Sequence, residues 1–175
     1  MKKQNSIGKT ERLLSIYHMF LHMNEVSLKE IESLLPGSKR TFSRDIALLK
    51  RTGNPIRFSA KCRAFILDGV RVVPELPQGR NARLYLEKII RLTTIMDEMD
   101  GADEPDAWYR GRFPDVSLRT MQRDFAQLNA IGYRISYERA LENYHNDEYD
   151  LPIHHYYCDW PLNTYELTIF KESNF

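Results

Sequence analysis

Residues 38–59 read SKRTFSRDIALLKRTGNPIRFS, and 79 positions later residues 117–138 read SLRTMQRDFAQLNAIGYRISYE. Aligned without a gap, nine of the 22 positions are identical: Ser, Arg, Thr, Arg, Asp, Ala, Leu, Gly and Ile. Phe42/Met121, Ile46/Phe125 and Phe58/Tyr137 differ in identity but keep their character. A period this long is no solenoid; one small folding unit has been duplicated. In both copies a capping Ser precedes a helix, a Gly stops it, and an apolar-alternating strand follows.

Working outward, Leu13, Ile16, Tyr17, Phe20 and Leu21 fall at helical spacing within 9–23 and predict a first amphipathic helix. Ser27-Leu28-Lys29-Glu30 is a capping box, and the helix it opens carries Ile31, Leu34 and Leu35 inward until Pro36-Gly37 ends it. The third helix runs from the Ser38 cap to about Arg51, and Ile56–Phe58 with Ala64–Leu67 predict a short hairpin around a basic turn. Three helices and a hairpin are the order of a winged helix-turn-helix.

A stretch punctuated by Gly69, Pro74, Pro77 and Gly79 follows, then a helix over 83–99 with Leu84, Ile89, Leu92, Met96 and Met99. The segment from Gly101 to Pro114 is acidic and broken by Pro105 and Gly111, leaving only a short helix less marked than its first-half counterpart, and Tyr133–Tyr137 reads as a strand. Residues 142–153 read as an acidic hairpin tip before the strand-like His154–Cys158. The expected fold is mostly α with small β wings (α+β): two tandem winged helix-turn-helix domains, 1–68 and 83–175, joined by a linker at 69–82.

Net charge is +1, but it is split unevenly. Residues 1–79 hold 14 Lys and Arg against 7 Asp and Glu, a balance of +7; residues 80–175 hold 11 against 17, a balance of −6. The first half can draw itself to phosphates, and the second as a whole cannot. Cys62 and Cys158 are the only cysteines, which suits reduced thiols in a cytoplasmic protein. No apolar run reaches the roughly 18 residues a membrane span needs, and the basic N-terminus has no apolar segment behind it.

In the third helix Phe42, Ile46 and Leu49 share one face, while Arg40, Arg44 and Arg51 share another, with Thr41 and Ser43 near the start. An anchored apolar face with polar side chains at the N-terminal end is what major-groove reading requires. Arg offers a bidentate fork to guanine, and Ser or Thr can reach base or phosphate. The second copy sets Met121, Phe125 and Leu128 inward and Arg119, Thr120, Gln122 and Arg123 outward, with Gln122 suited to adenine. Lys39, Lys50, Arg57, Lys61 and Arg63 would hold phosphates from the helix ends and the wing. One Arg-bearing amphipathic helix is ordinarily just a solvated helix, and Asp45 and Asp124 could occupy the adjacent Arg44 and Arg123. The recurrence of cap, Arg-Thr, Arg-Asp, stop Gly and strand in one order argues against that bland account.

The strings Ser38–Ile46 and Ser117–Phe125 resemble the recognition helix of DeoR-type and WYL-family transcriptional regulators, well over 9–67 and more loosely over 83–140. The resemblance implies a regulator whose helix at 38–51 enters an operator's major groove. It implies DNA contacts by Arg40, Thr41, Ser43 and Arg44, and by repeat Arg119, Thr120, Gln122 and Arg123. Such regulators continue into a ligand-sensing domain with no counterpart here; Trp108-Tyr109-Arg110 only echoes the tripeptide that names the family.

Other chemistry has little support. His145, His154, His155, Cys158 and Asp159 include ligand types, but adjacent His154 and His155 on a strand face opposite sides. No nucleotide-binding loop or nucleophile elbow occurs, so no enzymatic activity, metal or cofactor is expected. The expected partner is double-stranded DNA. The second domain either reads an adjacent half-site or, through its aromatic segment 144–160, forms a homodimer. The alternative is a tandem winged-helix module that binds protein and has no DNA affinity.

Overall fold

The structure, a computed structural model, describes residues 7–99, 102, 104–138 and 143–146. Helices α1 (Lys9–His22), α2 (Leu28–Leu34) and α3 (Lys39–Arg51) lead into strands β1 (Ile56–Ser59) and β2 (Ala64–Leu67). The order then repeats: α4 (Arg80–Glu98), α5 (Pro105–Arg112) and α6 (Leu118–Asn129) lead into β3 (Ile135–Glu138) and β4 (Asn143–Asn146). The chain is mostly helical, with two separate two-stranded antiparallel sheets, an α+β arrangement.

The helix boundaries follow from cap chemistry. Ser27 accepts from the Glu30 amide at 3.2 Å and the Glu30 carboxylate accepts from the Ser27 amide at 2.6 Å, satisfying two donors that the first turn of α2 leaves open. Ser38 and Ser117 cap α3 and α6 identically, each accepting from the amide three residues on at 3.3 Å. Both helices end ahead of a glycine in the left-handed region, Gly53 at φ +88 and Gly132 at φ +112. At Gly53 space is also closed, because an added Cβ would collide with the Val72 carbonyl oxygen.

Packing within each repeat runs through one stripe per helix. Phe42, Ile46 and Leu49 of α3 are buried, and so are Met121, Phe125 and Leu128 of α6, as the 3.6-residue period predicts. Val26, in the turn between α1 and α2, exchanges two backbone hydrogen bonds of 2.8 Å with Phe65, tying that turn to β2. The buried side chains of both repeats merge into one apolar cluster, in which α1 packs on α4 and α6. The segment expected as a linker takes part in this junction. Arg71 donates to the Tyr17 hydroxyl at 3.2 Å and to Thr94 Oγ1 at 2.9 Å, and pairs with the Asp97 carboxylate at 2.7 Å. Tyr17 itself donates to Asp97 at 2.7 Å, so one strap residue fastens α1 to α4. Burial, and then the Asp97 carboxylate, raise the Tyr17 pKa above its ordinary value, which keeps the phenol a donor.

Three local expectations are corrected. α4 begins at Arg80, inside the stretch read as linker, so its inward stripe runs through Leu86, Ile89, Leu92 and Met96, and Leu84 is exposed. Leu34 is only half-buried. Residues 143–146, read as part of an acidic tip, form β4, because pairing with β3 lets the Tyr144 ring lie 5.2 Å from that of Phe125. The segment 147–160, expected to carry the rest of the tip and an aromatic strand, lies outside the described residues.

Candidate nucleic-acid interface

α3 is held by two unlike contacts on its inner side. Its apolar stripe enters the core, and the buried Asp45 accepts from Arg12 Nε of α1 at 2.6 Å. In α6, Asp124 takes the same place: it accepts from Arg91 Nε of α4 at 2.9 Å and from the Tyr109 hydroxyl of α5 at 2.7 Å. Burial, with Asp124 second, raises the Tyr109 pKa, so this hydroxyl stays protonated at neutral pH. The Asp of each repeated Arg-Asp is therefore turned inward to a different helix. It does not occupy Arg44 or Arg123, and the local ion pairs considered from sequence are absent.

The outer side of α3 is correspondingly open. Arg40, Ser43 and Arg44 are exposed and make no hydrogen bond or ion pair among the described residues. Arg119, Gln122 and Arg123 stand the same way on α6. Thr41 and Thr120 differ: each is half-buried, and its hydroxyl lies 3.0 Å from that of its capping Ser. The threonines shared by the two repeats thus belong first to the cap. Each guanidinium fork keeps all its donors for a ligand.

The phosphate-holding candidates are distributed around this helix. Lys39 at the start of α3 lies 3.6 Å from Glu32, an exposed pair that water screens. Lys50 at its end stands 5.5 Å over the Phe65 ring. Arg57 on β1 is engaged by Asp68 at 2.7 Å, also in the open. Lys61 and Arg63 in the β1–β2 turn are exposed and unpaired among the described residues. Arg63 holds a left-handed backbone at φ 54, a conformation in which Gly or Asn is the ordinary choice.

Sequence reading missed Arg12, Arg91 and Tyr109, which bind α3 and α6 through Asp45 and Asp124. A signal was present, because the 79-residue offset continues upstream through Lys9/Lys88, Arg12/Arg91, Leu13/Leu92 and Ile16/Ile95. Among the described residues no group of three or more His, Cys, Asp or Glu could hold a metal ion, and no helix is long and apolar enough to cross a membrane. Comparison with family models, curated proteins and solved structures finds no match for this chain.

Proposed function

We propose that the chain is a sequence-specific double-stranded DNA-binding regulator built from two tandem winged helix-turn-helix units. α3 is its principal reader. One observation carries this reading: Arg40, Ser43 and Arg44 project from a helix whose inner side is fastened by the core and by Arg12–Asp45, with no partner of their own among the described residues. A rigid helix offering unspent guanidinium forks suits guanine edges and phosphates. The +7 balance of residues 1–79 adds long-range attraction to a polyanion. α6 offers Arg119, Gln122 and Arg123 in the same posture but inside an acidic half, which favours a secondary reading role or a homodimer surface.

Selection of bound sequences from a random duplex pool tests the reading, together with affinity measured over a salt series. An enriched motif is expected, with log affinity falling linearly against log salt. Absence of both an enriched motif and a salt slope would overturn DNA binding and leave the protein-binding module. Sedimentation of the same chain decides whether it pairs with itself.

A further inference from the structure

Phe58 is 54% exposed on β1 and Tyr137 is 50% exposed on β3. They are 79 residues apart, as are their cross-strand partners Phe65 and Tyr144. Ring centroids lie 5.2 Å apart in the first pair and 5.0 Å in the second. In both, the inner ring is half-buried against the core and the outer ring faces solvent. Packing accounts for the inner ring. It does not account for an aromatic side chain left half in water on the first strand of each hairpin, at the same place in the repeat.

Charge separates the two hairpins. Around the first pair stand Lys50, over the Phe65 ring, and Lys61 and Arg63 in the connecting turn. At the matching sequence positions the second repeat has Asn129, Ala140 and Glu142. The aromatic pair is retained while all three cations are gone. An exposed ring framed by cations is the combination that binds a nucleotide, with the ring against a sugar or base and the cations on flanking phosphates.

We infer that Phe58 is a non-ionic contact to the duplex: its open face lies on a deoxyribose or base beside the phosphates held by Lys50, Lys61 and Arg63. The inference rests on the DNA-binding reading above and adds to it an apolar component outside the recognition helix. Tyr137, without the cations, makes no such contact. Arg63 supports this division, since its left-handed backbone is a conformation a glycine would adopt more easily.

The test uses the full chain, a duplex carrying the selected motif, and a salt series. Phe58→Ala should weaken binding by roughly tenfold at every salt concentration with an unchanged salt slope, because the lost contact is not ionic. Phe58→Tyr should restore most of the affinity. Lys61→Ala and Arg63→Gly should each flatten the slope by about one unit. Tyr137→Ala should bind as the parent does. 2-Aminopurine placed in the flanking steps should brighten with the parent and not with Phe58→Ala if the ring meets a base, and stay dark with both if it meets a sugar. Parental affinity in a folded Phe58→Ala chain would overturn the inference while leaving the DNA reading standing. So would retained affinity with loss of self-association, which would make this ring a protein contact. A parent chain without salt-dependent duplex affinity would overturn both.

Discussion

Arg12 reaches across from α1 to hold Asp45 of α3, its Nε donating to the carboxylate at 2.6 Å. The same bond recurs 79 residues on between Arg91 and Asp124, where Tyr109 adds a second donor. A buried carboxylate needs compensating donors, and Arg12 supplies one to Asp45 while Arg91 and Tyr109 supply Asp124. The outward Arg and the inward Asp of each repeated Arg-Asp thus perform separate tasks: the Asp fixes the helix, and the Arg stays available.

Removing the inward partner should therefore destabilise the fold. Asp45→Ala is expected to cost on the order of 3 kcal/mol by leaving the half-buried Arg12 unpaired. Asp124→Ala should cost more, because Tyr109 loses its acceptor as well as Arg91. Urea unfolding of the two variants provides the comparison. Equal midpoints, or midpoints unchanged from the parent, would mean that these bonds do not hold the helices.

Much of this architecture was legible in the residues. The caps at Ser27, Ser38 and Ser117, the stops at Gly53 and Gly132, and the buried stripes of α3 and α6 are local events set by neighbours in sequence. What escaped was long-range. Asp45 sits beside Arg44 in sequence, yet its partner lies 33 residues away, and only the fold decides which guanidinium reaches it. Arg71 lay in a stretch that Pro and Gly mark as connecting chain, and its three bonds to α1 and α4 exist only because those helices pack together. The β4 strand was masked by its polar residues, since Tyr144 alone supplies its visible apolar anchor.

On the outer side, Arg40→Ala and Arg44→Ala should each remove about 1–3 kcal/mol of discrimination for the selected site. Stability should stay within about 0.5 kcal/mol, because neither side chain packs or pairs among the described residues. Ser38→Ala is the contrasting control: loss of the cap should cost about 1 kcal/mol of stability. Binding assays paired with thermal melts would show the split, and wild-type selectivity in both Arg variants would remove α3 as the reader.

The strap makes a prediction about cooperativity. Because α1 packs on α4 and the two sets of buried residues are continuous, the chain should unfold in one transition. Arg71→Ala removes an ion pair and two hydrogen bonds at that junction and should lower stability by about 2 kcal/mol. Calorimetry that resolved two independent transitions in the parent would show that the halves do not depend on this contact.

The final prediction concerns acid. His18 on α1 is 7% exposed, and neither ring nitrogen has a hydrogen-bond partner among the described residues. Its ring lies 4.2 Å from His22 and 6.0 Å from Tyr133. Desolvation, and secondarily the charge of His22, push its pKa down from 6.5 to about 3. Above pH 7 both folded and unfolded chains carry this imidazole neutral, so it adds no pH dependence. As pH falls below about 6.5 the unfolded chain takes up a proton that native His18 refuses, and stability drops by up to about 1.4 kcal/mol per pH unit. That window lies above the ordinary carboxylate range, and comparison with a His18 variant separates this group from the chain's four other histidines. His18→Leu removes the titration and sacrifices no hydrogen bond. It should therefore match the parent within about 1 kcal/mol at pH 7.5 and exceed it at pH 5.5. Urea midpoints at the two pH values decide the matter, and a variant whose midpoint falls with acid as steeply as the parent's would show that His18 is not the sensitive group.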